Sequence, residues 1–171
     1  ATCLLVSINR YERKKDIGLA VKAFALSERP ISGEQSCDDE FFGKNDDLET
    51  PRGSRTFTGL QGEQRIYTDS KLLIAGGWDD RVPENVEYYQ ELWELAVSQK
   101  LKPTAYPDFS GDLVFLRSFS QSQRCALLRR ASAVVYTPQN EHFGIVPLEA
   151  MYSGRPVIAC NSGGPLESIA H

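Results

Sequence analysis

Two carboxylates, Glu141 and Glu149, stand eight residues apart with Phe143-Gly144 between them. Gly144 permits a tight turn or a close backbone approach to a ligand. The amides around Val146–Leu148 open a predicted helix, and an uncapped helix start accepts phosphate oxygens. Glu149 offers acceptor oxygens to both hydroxyls of a ribose. A carboxylate in a first helical turn is also favoured by the helix dipole alone. A second cluster, Asn9-Arg10-Tyr11-Glu12-Arg13-Lys14-Lys15, puts four bases into six residues. There Arg10 can fork onto two oxygens and Lys15 can add a mobile point charge. Taken by itself the cluster reads as a solvated basic loop, and it lacks the glycines of a dinucleotide fingerprint or a Walker loop. A third segment, Asn161-Ser-Gly-Gly-Pro-Leu-Glu167, sets paired glycines at a helix start. On its own that is a plain connection.

These loops need elements to hold them. Cys3–Ile8, Leu72–Ala75, Asp112–Leu116, Ala133–Tyr136 and Pro156–Ala159 are short apolar runs of strand length. Between them Ile17, Ala20, Val21 and Phe24 fall on one helical face, as do Val86, Tyr89, Leu92 and Ala96 after Pro83. Asp16 is a candidate cap for the first helix. Ser120 and Gln123 match a capping box for the third. A short helix is predicted over Val146–Tyr152, with Pro147 in its first turn, and a last helix begins at Pro165. The strands lack clean alternation, as expected when helices cover both faces. The fold class is therefore α/β, a doubly wound, Rossmann-like parallel sheet. Ligands of such sheets sit beyond the carboxyl ends of the strands, where all three loops lie. Bases, helix starts and two carboxylates at one sheet edge suit a nucleotide diphosphate carrying a sugar.

The chain has 171 residues with 19 basic and 23 acidic side chains, a net charge of −4. One domain suits that length, and the acidic total argues against a nucleic-acid binder. No run approaches the roughly 18 apolar residues that span a bilayer. Residues 28–69 hold ten acids and five bases, while the other residues hold 13 acids and 14 bases. Residues 28–69 show no periodicity and are expected to be a disordered acidic insertion. Cys3, Cys37, Cys125 and Cys160 form no CxxC pair, so zinc and dithiol readings lose their support. Cys3, Cys125 and Cys160 sit in apolar runs, as buried free thiols do, and a reducing compartment follows. Ala1–Ile8 shows neither an initiator Met nor a signal-peptide pattern. It reads as a strand entered in mid-protein, so the chain is expected to be a piece of a longer one, incomplete at its end.

At these residues the chain resembles the carboxy-terminal half of the family-4 glycosyltransferases, which have the two-domain GT-B fold. The resemblance is carried by Glu141-His-Phe-Gly-Ile-Val-Pro-Leu-Glu149, by Gly154-Arg-Pro-Val-Ile158, by Arg10 with Lys15, and by Gly163-Gly-Pro-Leu-Glu167. Asp16 departs from the family pattern, in which Gly often follows the Lys. Within the family, Ser7–Lys15, Gly76–Val82, Glu84–Tyr89, Phe115–Ser120 and Asn140–Gly144 are similar to the α-1,3/1,6-mannosyltransferase branch of dolichol-linked oligosaccharide assembly.

The resemblance implies a GDP-mannose donor, a dolichyl-diphosphate oligosaccharide acceptor, retention at the anomeric carbon and no obligatory metal. It implies that Arg10 and Lys15 stabilise the departing diphosphate and that Glu141 touches the mannose hydroxyls. Glu149 would hold the ribose, with His142, Phe143, Gly144, Ile145, Val146, Pro147 and Leu148 lining the donor between the two carboxylates. Backbone at Gly76, Gly77, Arg117 and Ser118 would face the base and diphosphate. Both carboxylates then have binding roles and are not a hydrolase pair. Acceptor binding falls to an upstream domain, and the implied setting is the cytosolic face of the endoplasmic reticulum membrane. Two alternatives stay open. One is another GT-B transferase using a UDP-sugar or a different GDP-sugar; the other is a nucleotide-sugar-binding or scaffold module without catalysis.

Overall fold

A computed structural model of the chain describes residues 2–28 and 69–169. The insertion expected at 28–69 lies outside the described residues except for its two end positions, and Cys37 and His171 lie outside them too.

Among the described residues six strands form one all-parallel sheet in the order β3-β4-β2-β1-β5-β6. They are β1 (Thr2–Ile8), β2 (Asp69–Gly76), β3 (Pro103–Ala105), β4 (Leu113–Arg117), β5 (Ala133–Tyr136) and β6 (Val157–Ala159). The helices are α1 (Ile17–Ser27), α2 (Pro83–Ser98), α3 (Gln121–Arg130), α4 (Ile145–Tyr152) and α5 (Pro165–Ser168). β1 is central: Ile8 pairs with Ala75 of β2 on one side, and Val6 with Val134 of β5 on the other.

Two apolar layers sandwich the sheet. On β2, Leu72 and Ile74 face Ile17, Val21 and Phe24 of α1 and Leu92 of α2. The intervening Leu73 and Ala75 join Leu128 of α3 and Ala150 of α4 on the opposite face. Alternate residues of one strand thus feed different cores, which is why the sequence shows runs rather than alternation. The connection after β1 enters α1 on the first face, and the connection after β5 enters α4 on the second. Neighbouring strands whose chains leave toward opposite faces open a crevice at their carboxyl ends.

Tyr11 wedges the first of these connections into place. It is fully buried, and its hydroxyl donates to the carbonyls of Ile74 (3.2 Å) and Leu116 (3.4 Å). Its ring meets Trp78 and Tyr89 edge-on. Burial pushes the phenol far above its ordinary range, so it stays a neutral donor.

All five expected strands form. β3 is an addition: three residues opening on Pro103 carry no apolar pattern, and proline fits only an edge strand such as this. The buried face of α2 starts at Asn85 and Tyr88 before continuing through Leu92 and Ala96, in place of the expected Val86 and Tyr89. Both buried groups have hydrogen-bond partners, which lets polar atoms replace aliphatic ones. The capping box of α3 is present, with the Gln123 amide donating to Ser120 Oγ and Ser120 N–H to Gln123 Oε1. Asp16 differs from expectation. Its side chain caps nothing; it sits in the left-handed region at φ 45°, where Asp is tolerated and Gly unstrained. The three described thiols are free, but Cys125 is exposed and Cys3 and Cys160 are only partly buried. Leu128, one turn further along α3, takes the core position instead.

Gly76 lies where β2 passes under the β1 connection. A Cβ there would overlap the Asn9 carbonyl and stand 3.0 Å from the Tyr11 ring, whereas a Cβ at Gly77 would meet Arg10 Cγ at an ordinary 3.8 Å. Gly76→Ala is expected to destabilise by about 1–3 kcal/mol through overpacking. Gly77→Ala should stay within about 0.5 kcal/mol. Urea unfolding midpoints of the two variants measure the contrast.

Candidate functional site

The loop after β1 is built as a clamp. Residues Arg13–Lys15 make one 3-10 turn, and α2 grips it from the side. The Arg13 amide donates to Glu84 (3.0 Å), its guanidinium to Glu87 (3.0 Å) and Glu91 (2.6 Å). Hydrogen bonds to Glu91 and Glu87 hold the Arg13 charge even more firmly than usual. Asn85, buried, donates to the Tyr11 carbonyl (3.0 Å) and accepts the Asp79 amide (3.1 Å). Gly18 N–H reaches the Tyr88 hydroxyl. Arg13 and Lys14 therefore point their charge to structural partners, Lys14 pairing with Glu12 at 3.1 Å. Arg10 remains exposed, with Glu12 at 3.7 Å.

Lys15 is directed across the crevice. Its ammonium forms an ion pair with Glu141 Oε1, and both side chains are largely covered, at 16% and 28% exposure. A hidden tether sets this reach: Thr137, buried at the end of β5, donates its hydroxyl to the Lys15 carbonyl at 2.8 Å. The Thr137 carbonyl in turn accepts the Cys160 thiol at 3.2 Å. One threonine thus joins the ends of β1, β5 and β6. Burial raises the Cys160 thiol above its ordinary pKa, and the Asp16 charge adds to it, so it stays protonated as that donor.

The paired glycines serve the same loop. A Cβ at Gly163, which has φ 62°, would overlap the Glu141 carbonyl, and one at Gly164 would come within 2.5 Å of the Phe143 carbonyl. Gly164 N–H donates to the Glu141 carbonyl at 2.7 Å, and the Ser162 hydroxyl takes the Asn140 amide at 3.2 Å. The third loop is therefore a cradle for the second. His142, Phe143 and Ile145 stay exposed above it. Gly144 is buried and left-handed at φ 75°, and no side chain caps α4 behind it. The first turn of α4 presents the amides of Ile145 and Val146, while Leu148, the fourth residue of the helix, spends its amide on the first intrahelical bond, to Gly144. Pro147, placed among the donors from sequence, is buried and has no N–H to give.

Glu149 sits one turn into α4, away from that rim, and takes a different cation. Arg124 of α3 donates to Glu149 Oε2 through Nε at 2.9 Å and through Nη2. A cavity of about 440 Å³ opens beside the pair, walled by Gln121, Cys125, Leu128 and Tyr152. That volume lies within the range of small-ligand sites. The two carboxylates are thus bound to separate cations on separate elements.

The remaining expected residues form a second group. Ser118, left-handed at φ 54°, donates its amide to the Gly76 carbonyl (2.8 Å) and its hydroxyl to the Trp78 carbonyl (3.2 Å). These donors knit the β2 and β4 ends together. Arg117 lies over Trp78 (5.0 Å) and Tyr89 (5.2 Å), a cation–π seat that fixes its guanidinium at the sheet edge. Arg10 is adjacent, since its Cγ neighbours Gly77. Thr137 and Arg124 were not singled out from sequence. Thr137 follows an apolar strand directly and precedes Pro138, a position that buries a polar side chain. Arg124 lies four residues beyond the Ser120 cap, on the turn beside the predicted nucleotide loop.

A model of the glycosyl transferases group 1 matches residues 61–171. The human α-1,3/1,6-mannosyltransferase ALG2 is 46% identical over 168 residues, covering 98% of this chain and 31% of the human protein. Its namesake from Saccharomyces cerevisiae is 40% identical, covering 96% of this chain and 28% of the yeast protein. The chain spans about three-tenths of the length of these curated relatives. Among solved structures, the C-terminal domain of a group 1 glycosyl transferase family protein, LpcC, from Francisella tularensis superimposes with TM-score 0.61 at 16% identity. It covers 99% of this chain and 63% of that one. Anabaena HepE, solved with UDP and glucose, gives TM-score 0.59 at 18% identity, covering 99% of this chain and 32% of that one. These likenesses bear out the doubly wound fold.

Thr137→Val keeps the shape and removes the hydroxyl. It is expected to lower stability by about 0.5–1.5 kcal/mol, the net worth of one hydrogen bond. Amide exchange should also accelerate at residues 12–16, with β4 unaffected. Hydrogen-exchange mass spectrometry reads both segments.

Proposed function

Because the chain belongs to the glycosyl transferases of group 1, we propose that it is the donor-binding part of a retaining mannosyltransferase. That enzyme moves mannose from GDP-mannose to a dolichyl-diphosphate-linked oligosaccharide. The observation that carries the reading is Lys15 held to Glu141 across the crevice between β1 and β5, beside the uncapped start of α4. The identity of 37–46% to α-1,3/1,6-mannosyltransferases over nearly the whole chain supports the choice of sugar.

In this reading the donor diphosphate enters between the loops after β1 and β5. Lys15 and Arg10 stabilise the negative charge that grows on the leaving diphosphate, and the α4 amides add fixed dipoles to it. Glu141 meets the mannose hydroxyls while it fixes the Lys15 ammonium. Glu149 takes the ribose in the α3–α4 cavity. The base lies toward the knitted ends of β2 and β4, at Gly76-Gly77 and Arg117-Ser118. No metal is required, since the cations are side chains. The acceptor is bound by a partner domain outside this chain, at the cytosolic face of the endoplasmic reticulum membrane. No helix among the described residues is long and apolar enough to cross a membrane.

Two measurements on the whole enzyme test the reading. Calorimetric titration is expected to show tighter binding of GDP than of UDP; tighter UDP binding would reassign the donor. Lys15→Ala is expected to lower turnover by about 10²–10³, the usual loss of one charge-stabilising donor. Turnover equal to that of the unaltered enzyme would return Lys15 to the role of a structural ion pair.

A further inference from the structure

Glu149 meets its ligand already paired. Arg124 places both Nε and Nη2 on one oxygen, Oε2. Oε1 has no partner among the described residues. Both side chains are mostly covered, at 19% exposure for Arg124 and 32% for Glu149, and both line the cavity between α3 and α4. A glutamate left to itself rotates about three torsions and loses that freedom when it binds. A planar, rigid guanidinium fork removes the freedom beforehand and leaves one defined acceptor oxygen. The fork also offsets the carboxylate charge, which would otherwise repel a diphosphate bound nearby. Its anchor is firm, because Arg124 lies on the first turns of α3, whose start is closed by the Ser120–Gln123 capping box.

We infer that Arg124 is the positioning residue through which Glu149 recognises a ribose, and that it sets the preference for a ribonucleotide over a 2′-deoxyribonucleotide. The inference rests on the reading of Glu149 as the ribose ligand. Arg124 itself need not touch the nucleotide. It turns Oε1 into a fixed acceptor for the diol, and a carboxylate without the fork binds a hydroxyl in several orientations and discriminates poorly.

The test is the ratio of affinities for GDP and 2′-deoxy-GDP, titrated calorimetrically in the whole enzyme. Both ligands see the same folded fraction, so lost stability does not move the ratio. The unaltered enzyme is expected to favour GDP about tenfold, the worth of one hydrogen bond to a charged group. Arg124→Met keeps the stem and removes the fork, and should narrow the ratio to about twofold or less. Arg124→Lys keeps the charge without the fork and should narrow it as well, which provides a second variant should the first not fold. Glu149→Gln should narrow it too. A ratio unchanged or widened in both Arg124 variants, with Glu149→Gln collapsing it, would overturn the positioning role and leave Glu149 as ribose ligand. A ratio that Glu149→Gln leaves intact would remove the ribose reading itself, and the role of Arg124 with it.

Discussion

The site depends on one constraint, the two-sided parallel pairing of β1. Because β2 and β5 both run alongside it, the chains that leave β1 and β5 must return over opposite faces. That divergence leaves a gap no side chain of the sheet can fill, and the two loops meet above it. The Thr137–Lys15 bond closes the base of the gap, and the Lys15–Glu141 pair spans its mouth. A charge pair in such a place is half withdrawn from water, so its attraction is stronger than on an open surface. It is also replaceable, because a ligand with its own negative oxygens can take over the cation.

Much of this was legible in the residues. The apolar runs gave the order of five strands, and Ile17, Ala20, Val21 and Phe24 gave the buried face of α1 apart from Ala25. Ser120 and Gln123 announced the start of α3 because a capping box is local chemistry that needs no partner from elsewhere. What could not be read was set by distant contacts. β3 exists only because β4 offers an edge to pair with. Asn85 and Tyr88 are buried because the β1 loop and the first turn of α1 supply their partners, and no helical periodicity encodes that.

The site shows the same division. The carboxylates, the bases and the glycines stood out by type and spacing. Their pairing did not: one glutamate takes a lysine 126 positions away, the other an arginine 25 away. The glycines after β6 also changed meaning. On their own they read as a plain connection at a helix start, but they allow the backbone of residues 140–143 to pack directly on theirs. The motif around Glu84–Tyr89 acquires a physical reason as well. Glu84, Asn85 and Glu87 are the jaws that hold the β1 loop, and Tyr88 takes the Gly18 amide at the start of α1 behind it.

The ionic part of that grip is wet, whereas Asn85 and Tyr88 are neutral and buried. Arg13 is 45% exposed, and its partners Glu87 and Glu91 are 60% and 51% exposed. Attraction between charges in such contact with solvent weakens as mobile ions accumulate around them. The Lys15 end of the same turn is fastened by a neutral, buried hydroxyl, which ions do not screen. Ionic strength therefore acts on the two ends unequally. Rising salt weakens the Arg13 contacts to α2 first, while the buried neutral bonds, Asn85 to the Tyr11 carbonyl and Thr137 to the Lys15 carbonyl, keep their strength.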